Sequence, residues 1–254
     1  MKKFLCLLGA IAFVFTSCSK DDNDSSDSTS SILVKKTTIT ESDGSTYSEE
    51  IKYNGNKIVS ITDEYGYLTK YSYTGDLITK MEEIDENGEL DILTDYSYTN
   101  GKLTTSTTKE TGAPNYNKIE FVHNSDGTVS YEKIRINSST AVQEGSKTIG
   151  KLTFKNANLV KNEYSDGMEH VLTYEYDANN APRKNITGLN LLLDIEEPSS
   201  TVNNVIKIIH TAGSGTNVNI YVATFTYKYN ADNYPTEESV TFGGGSTEIT
   251  QYFY

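Results

Sequence analysis

From about residue 32 to the C-terminus, apolar and polar positions alternate with a period of two. Tyr67, Tyr71 and Tyr73 share one parity, and Leu90, Ile92, Tyr96 and Tyr98 share another. Ile119, Phe121 and His123 alternate in the same way, as do Tyr221, Ala223, Phe225, Tyr227 and Tyr229. Period-two patterning in Tyr, Thr, Ile and Val predicts half-buried β-strands. Asp43-Gly44, Asn54-Gly55, Asn87-Gly88, Asn100-Gly101, Asp126-Gly127 and Asp166-Gly167 punctuate the runs. Such pairs supply the positive φ angles of tight hairpin turns. The reading is all-β: one antiparallel meander sheet of roughly 14 to 18 strands with short connections, curled or partly closed on itself because isolated hairpins are marginal. The alternation changes parity between Val129/Tyr131 and Ile134/Ile136, which predicts a β-bulge there. Residues 186–196 lack the rhythm and predict a short helix or loop insertion capping an open end.

The strands share an internal unit: aromatic-x-aromatic, a polar turn, then an apolar residue that opens the next strand. Tyr71-Ser72-Tyr73 leads to Leu77, and Tyr96-Ser97-Tyr98 leads to Leu103. Tyr174-Glu175-Tyr176-Asp177-Ala178-Asn179-Asn180-Ala181-Pro182 and Tyr227-Lys228-Tyr229-Asn230-Ala231-Asp232-Asn233-Tyr234-Pro235 match almost position for position. Unequal spacing between units argues for a meander rather than a tight solenoid.

The N-terminus has a different character. Lys2-Lys3 precede an apolar run over 4–15, too short to span a membrane and patterned like a secretory signal over 1–17. Phe15-Thr16-Ser17-Cys18 resembles a bacterial lipobox, which implies lipidation of Cys18 and a membrane anchor through it. Residues 18–31 are then a polar tether of Ser and Asp that cannot bury enough surface to order itself. Cys18-Ser19-Lys20-Asp21-Asp22 is similar to the export signal of Bacteroidota lipoproteins and implies an outer-membrane lipoprotein displayed on the cell surface. Residues 32–254 form a single domain in this reading.

The units at 174–182 and 227–235 resemble the YD repeats of Rhs-type proteins. The chain from lipobox to C-terminus is similar to the uncharacterised YD-repeat-like lipoproteins of flavobacteria and other Bacteroidota. That resemblance implies location and β-architecture and carries no active site. The chain is too short to build the toxin-enclosing shell of true Rhs proteins.

Charge and composition narrow the chemistry. The 254 residues carry 22 Lys+Arg against 35 Asp+Glu, a net charge of -13 that disfavours a nucleic-acid partner. Two Cys, Cys6 within the signal and Cys18 at the anchor, leave the mature chain no thiol chemistry. His123, His170 and His210 show no metal-ligand spacing, and no nucleophile elbow is present. Asp85-Glu86-Asn87-Gly88-Glu89-Leu90-Asp91 fails the EF-hand pattern at Leu90, so no metal, cofactor or catalytic residue is assigned. The 19 Tyr admit two readings: a packing ladder with hydroxyls at its edge, or an exposed stacking platform with Tyr65, Tyr67 and Tyr71 as its ligand-binding candidates. The first expectation for function is therefore a non-catalytic, lipid-anchored surface scaffold for adhesion or contact with an envelope protein. The alternative is a glycan- or ligand-binding lipoprotein of an uptake system. A carrier with a large apolar groove stands third.

Overall fold

The computed structural model describes residues 31–195, 201–215 and 217–254. The lipobox, Cys18 and all of the tether but Ser31 lie outside the described residues. Sixteen antiparallel strands run in chain order: β1 (Lys36–Thr40), β2 (Thr46–Asn54), β3 (Lys57–Asp63), β4 (Leu68–Thr74), β5 (Leu77–Ile84), β6 (Leu90–Thr99), β7 (Lys102–Glu110) and β8 (Asn115–His123). They continue as β9 (Val129–Asn137), β10 (Gln143–Lys155), β11 (Asn158–Ser165), β12 (Glu169–Tyr176), β13 (Val205–Ser214), β14 (Asn217–Tyr229), β15 (Pro235–Phe242) and β16 (Thr247–Phe253). Every strand pairs with its sequence neighbours, and β1 pairs with β16 from Lys36↔Phe253 to Thr40↔Ile249. The meander thus closes completely into a barrel, the limiting case of the curled sheet that the alternation predicts.

The repeat has a structural identity. Just before the second aromatic of the unit the register slips by one residue, at Lys52/Tyr53, Ser72/Tyr73, Ser97/Tyr98, Thr153/Phe154, Glu175/Tyr176 and Lys228/Tyr229. A bulge at the same place in these six units adds twist and bends the sheet, which is how a flat meander is made to close. The aromatics point inward, and one hydroxyl of the pair, usually the second one's but the first one's at Tyr227, donates to a carbonyl of the preceding strand or its approach. Tyr53 reaches Val34 O (2.8 Å), Tyr98 Ile78 O (2.7 Å), Tyr176 Leu159 O (2.5 Å), Tyr227 Val205 O (2.7 Å) and Tyr254 Pro235 O (2.8 Å). His123, at the same place in its unit, contacts Leu103 O through Nε2 at 2.8 Å. These tyrosines are the packing ladder. Burial pushes the Tyr53 and Tyr98 hydroxyls up to about 12.

The bulge expected within 129–136 is not in β9. That strand pairs with β8 without interruption, and the irregularity lies on β10 between Glu144 and Thr148. The apparent parity change has another cause: Lys133 takes an inward position, and Ile134 and Ile136 fall on the opposite face.

One end of the barrel is plugged by the described parts of the insertion between β12 and β13, residues 177–195 and 201–204. Residues 186–196 hold only a one-turn 3-10 helix, Leu189–Leu191, within an otherwise irregular segment described as far as Ile195. Asparagines bind the plug around the rim. Asn185 donates to Ile32 O (2.9 Å) and to the Tyr234 hydroxyl (2.7 Å), and Asn180 donates to Asp232 O (2.9 Å). Asn162, fully buried in the wall, donates to Ile195 O at 2.8 Å and accepts from the Tyr131 hydroxyl at 3.0 Å. Gly188 fits only as glycine: its φ is +79°, and an added Cβ would strike Asp76 O. Ile186 is buried with Val34, Ile51 and Ile58, and Leu193 and Ile195 pack against Leu103, Phe121 and Leu152. Both apolar clusters therefore sit at the plugged end.

The outer wall is largely polar. Glu50, Lys52, Lys70, Ser72, Ser97, Glu120, Lys151, Glu175, Thr226 and Lys228 are exposed on it. A membrane-spanning barrel has the reverse alternation, apolar outside, because a Lys or Arg facing mid-bilayer costs about 2–4 kcal/mol. Outward apolar residues interrupt the polar wall in places, Val171, Ile209, Ile220 and Val222 on β12–β14 and Val122, Ile134 and Ile149 on β8–β10. No helix among the described residues is long and apolar enough to cross a membrane, which says nothing of strands.

Candidate functional site

Above the plug the barrel is hollow. The larger cavity is about 680 Å³ and is walled by β1, β2 and β12–β16, with Ala181, Pro182 and Arg183 of the plug contributing to its lining. It reaches Phe242 and Glu248 near the opposite end, and Phe242 is 45% exposed, so the lumen opens there. The smaller cavity is about 510 Å³, lies against β4–β9, and shares Arg183 with the larger one.

Strand alternation sorts the lining into distinct surfaces. Leu172, Ile208, Ala223 and Phe225, from β12–β14, make one side of the larger cavity apolar. Glu238 of β15, Glu248 of β16 and Glu49 of β2 make the other side acidic. The register Glu238↔Thr250 and Val240↔Glu248 sets the first two carboxylates diagonally across neighbouring strands. The Tyr252 hydroxyl donates to Glu238 Oε2 at 2.9 Å, and Thr37 Oγ1 donates to Glu49 Oε2 at 2.9 Å. Arg183 Nη2 lies 3.9 Å from Glu49 Oε2, a loose pair. Burial pushes the Glu238 carboxyl above the usual carboxylate range, against the pull of its tyrosine hydrogen bonds. The Glu83 carboxyl, lining the smaller cavity, is raised chiefly by burial as well.

Asn204 lines the larger cavity and is 3% exposed. Its Nδ2 donates to Asp177 Oδ2 at 3.1 Å, which fixes the amide orientation, and its Oδ1 has no hydrogen-bond partner among the described residues. The Tyr229 hydroxyl also bonds the Asp177 carboxylate.

Farther along the wall, cross-strand pairing lines up Tyr164, His170, His210 and Tyr221 on β11–β14. Ring centroids are 4.4, 5.3 and 5.8 Å apart in that order. His170 Nδ1 lies 3.0 Å from His210 Nε2, and His170 Nε2 lies 3.3 Å from Asp166 Oδ1. Burial, and then His170, lower the His210 pKa. Among the described residues no group of three or more His, Cys, Asp or Glu is placed to hold a metal.

Tyr65, Tyr67 and Tyr71 do not share one surface. Tyr65 and Tyr67 lie in the turn before β4 and are 63% and 49% exposed. The strand begins at Leu68, so alternation turns Tyr71 into the lumen, where it lines the smaller cavity. The residues that sequence reasoning missed are Arg183, Glu49, Glu238 and Glu248. The three acids carry one available signal: each has the parity of an apolar neighbour, Ile51, Val240 and Tyr252 respectively.

No family model and no curated protein matches the chain. Among solved structures it is similar to a porin-like protein from Bacteroides uniformis ATCC 8492, known from a crystal structure at 2.32 Å resolution. The TM-score is 0.53 at 14% identity over 87% of this chain and 96% of that one. At this identity the likeness bears on the fold, and it agrees with one all-β barrel along nearly the whole of both chains.

Proposed function

We propose that the protein is a lipid-anchored envelope protein, held at the outer membrane through Cys18 and displayed on the cell surface, whose barrel binds a small ligand in its lumen. The observation that carries the reading is a hollow, mixed apolar and charged lumen, plugged at one end, inside a wall whose outer face is largely polar. A wall that faces water leaves the lumen as the differentiated surface of the fold, and concave, mostly apolar sites with a few placed polar groups are where small ligands bind. Ile32 and Val34, at the approach to β1, lie at the plugged end. No catalysis belongs to this reading. The scaffold alternative would use the outer wall instead.

Two measurements test it. Mass spectrometry of the mature protein should find Cys18 acylated as the first residue; an unmodified Cys18 overturns the anchor. Thermal unfolding of the purified protein against a panel of oligosaccharides, amphiphiles and amino compounds tests the lumen. A ligand at 100 times its Kd adds about 2.7 kcal/mol, and each kcal/mol moves Tm by roughly 2–4 °C at this size. A shift of several degrees with one compound class supports a lumen binder; a flat panel returns the protein to the scaffold reading.

A further inference from the structure

We infer that the smaller cavity is a site for a neutral polyhydroxyl ligand, a saccharide or a comparable polyol, held by side chains of β4–β8 and the plug. The inference rests on the lumen-binding reading and adds the place in the lumen and the chemical class.

The starting observation is a contrast among tyrosines. In the ladder the hydroxyls are already bonded, as at Tyr53, Tyr98 and Tyr176, which donate to backbone carbonyls. Tyr71 and Tyr96, the first aromatics of their units, line the smaller cavity, and their hydroxyls have no hydrogen-bond partner among the described residues. Neither oxygen is sealed away: among the described residues the fully buried side-chain atoms without a partner are Asn115 Oδ1 and Asn204 Oδ1. Glu83 and Asn117 line the same cavity, and their side-chain polar atoms are likewise without partners among the described residues. Asn117, near the mouth end of β8, is exposed, so the cavity is reached from that side.

Register explains the grouping. Tyr71↔Met81, Met81↔Thr94, Thr94↔Thr108 and Thr108↔Asn117 make one row of lining residues across β4–β8. Glu83 stands diagonal to Tyr71 on the neighbouring strand. Arg183 of the plug is near enough to Tyr71 to act on its hydroxyl, and Glu49 pairs with it only loosely, at 3.9 Å.

This lining mixes donors and acceptors. Arg183 donates, Glu83 accepts, and the Tyr and Thr hydroxyls and the Asn117 amide do both. Burial raises the pKa of Tyr71 and Tyr96, so both keep their protons. A ligand hydroxyl both donates and accepts and can pair with every one of these groups. An ammonium only donates and a carboxylate only accepts, so either leaves part of the lining unmatched. Charge favours neither ion, because among the described residues the lining carries Glu83 and Asp194 against Lys133 and Arg183. Met81, Leu189 and Leu193 give an apolar surface to the C–H face of a sugar ring. The volume, about 510 Å³, is that of a small-molecule site.

The experiment is isothermal titration calorimetry of the full-length protein in detergent. The probes are glucose, galactose, mannose, maltose, cellobiose and lactose, beside glucosamine, glucuronate and cyclohexanol. At least one neutral sugar should bind about tenfold or more tightly than any of the last three. Tyr96→Phe, which keeps the ring and removes one unpaired hydroxyl, should weaken that sugar about tenfold, the worth of one well-placed hydrogen bond. Tyr98→Phe removes a hydroxyl already bonded to Ile78 O and should leave the sugar affinity unchanged. Equal or tighter binding of glucosamine, glucuronate or cyclohexanol overturns the polyol inference and leaves the lumen reading standing. A sugar affinity indifferent to Tyr96→Phe, or equally weakened by Tyr98→Phe, overturns the assignment to this cavity. No heat from any of the probes overturns the polyol site and argues against the lumen reading with it.

Discussion

The two ends of this barrel are built from the same strands under different rules. At the plugged end nearly every inward residue is apolar or aromatic, six units carry a bulge, and tyrosine hydroxyls reach the backbone of the neighbouring strand. Toward the mouth the inward positions include Glu49, Glu83, Lys133, His210 and Glu248 beside apolar Leu172, Ala223 and Phe242, and other apolar residues such as Ile134 and Ile220 move to the other face. The aromatic repeat belongs to one end alone. It supplies closure and stability, and the non-repeating positions beyond it are where composition is free to follow a ligand. Stability and selectivity should therefore respond to different substitutions.

The largest test of that division is Gly150→Ala. Gly150 pairs directly with Tyr131, and an added Cβ would overlap the tyrosine ring. Either the ring or the strand must move, at a cost of about 1–3 kcal/mol for overpacking. Tm should fall by several degrees, with no change in the ratio of affinities among ligands of one shape. An unchanged Tm would show that the Tyr131 pocket is loose. Tyr98→Phe probes one rung of the ladder. It leaves Ile78 O without its 2.7 Å donor and should lower stability by about 0.5–1.5 kcal/mol in denaturant unfolding. A wild-type midpoint would remove the hydroxyls from the account of closure.

The smallest effect belongs to the mouth and carries the opposite sign. The folded-state carboxyl of Glu238 titrates above its ordinary range, so its contribution to stability is complete at low pH and declines as pH rises through that raised value. Glu238→Gln removes the decline. Tm at pH 7 should rise by no more than about 2–4 °C, the worth of about 1 kcal/mol, and the difference from wild type should vanish near pH 4. A loss of stability at pH 7 would mean that the carboxylate holds the wall together through Tyr252 and Tyr227, and the division between the ends would blur.

The sequence exposed much of the architecture because alternation and turn chemistry are local. Asn-Gly and Asp-Gly pairs marked the hairpins, and the aromatic-x-aromatic unit marked the inner face. Closure was not visible in the same way, since the pairing of β1 with β16 is a property of accumulated twist rather than of any segment. The lumen was harder still. Glu49, Glu238 and Glu248 look like ordinary surface acids until their parity is set beside Ile51, Val240 and Tyr252. Arg183 sits in the segment without rhythm, where periodicity assigns no face. His170 and His210 are forty residues apart and meet only through the pairing of β12 with β13. Tyr65, Tyr67 and Tyr71 show the converse: a shared parity was no guide once the strand began after two of them.

The seam between β1 and β16 has a kinetic meaning. Every other pairing in the sheet joins consecutive strands, all but β12 with β13 across a short connection, but Lys36↔Phe253 unites the two ends of the domain. Such a contact carries the greatest loop-closure entropy and so should form last. Until it forms, two strand edges stand open to any passing chain, and once it forms there are none. The final turn of the meander is thus the step that converts a sticky intermediate into a particle without edges.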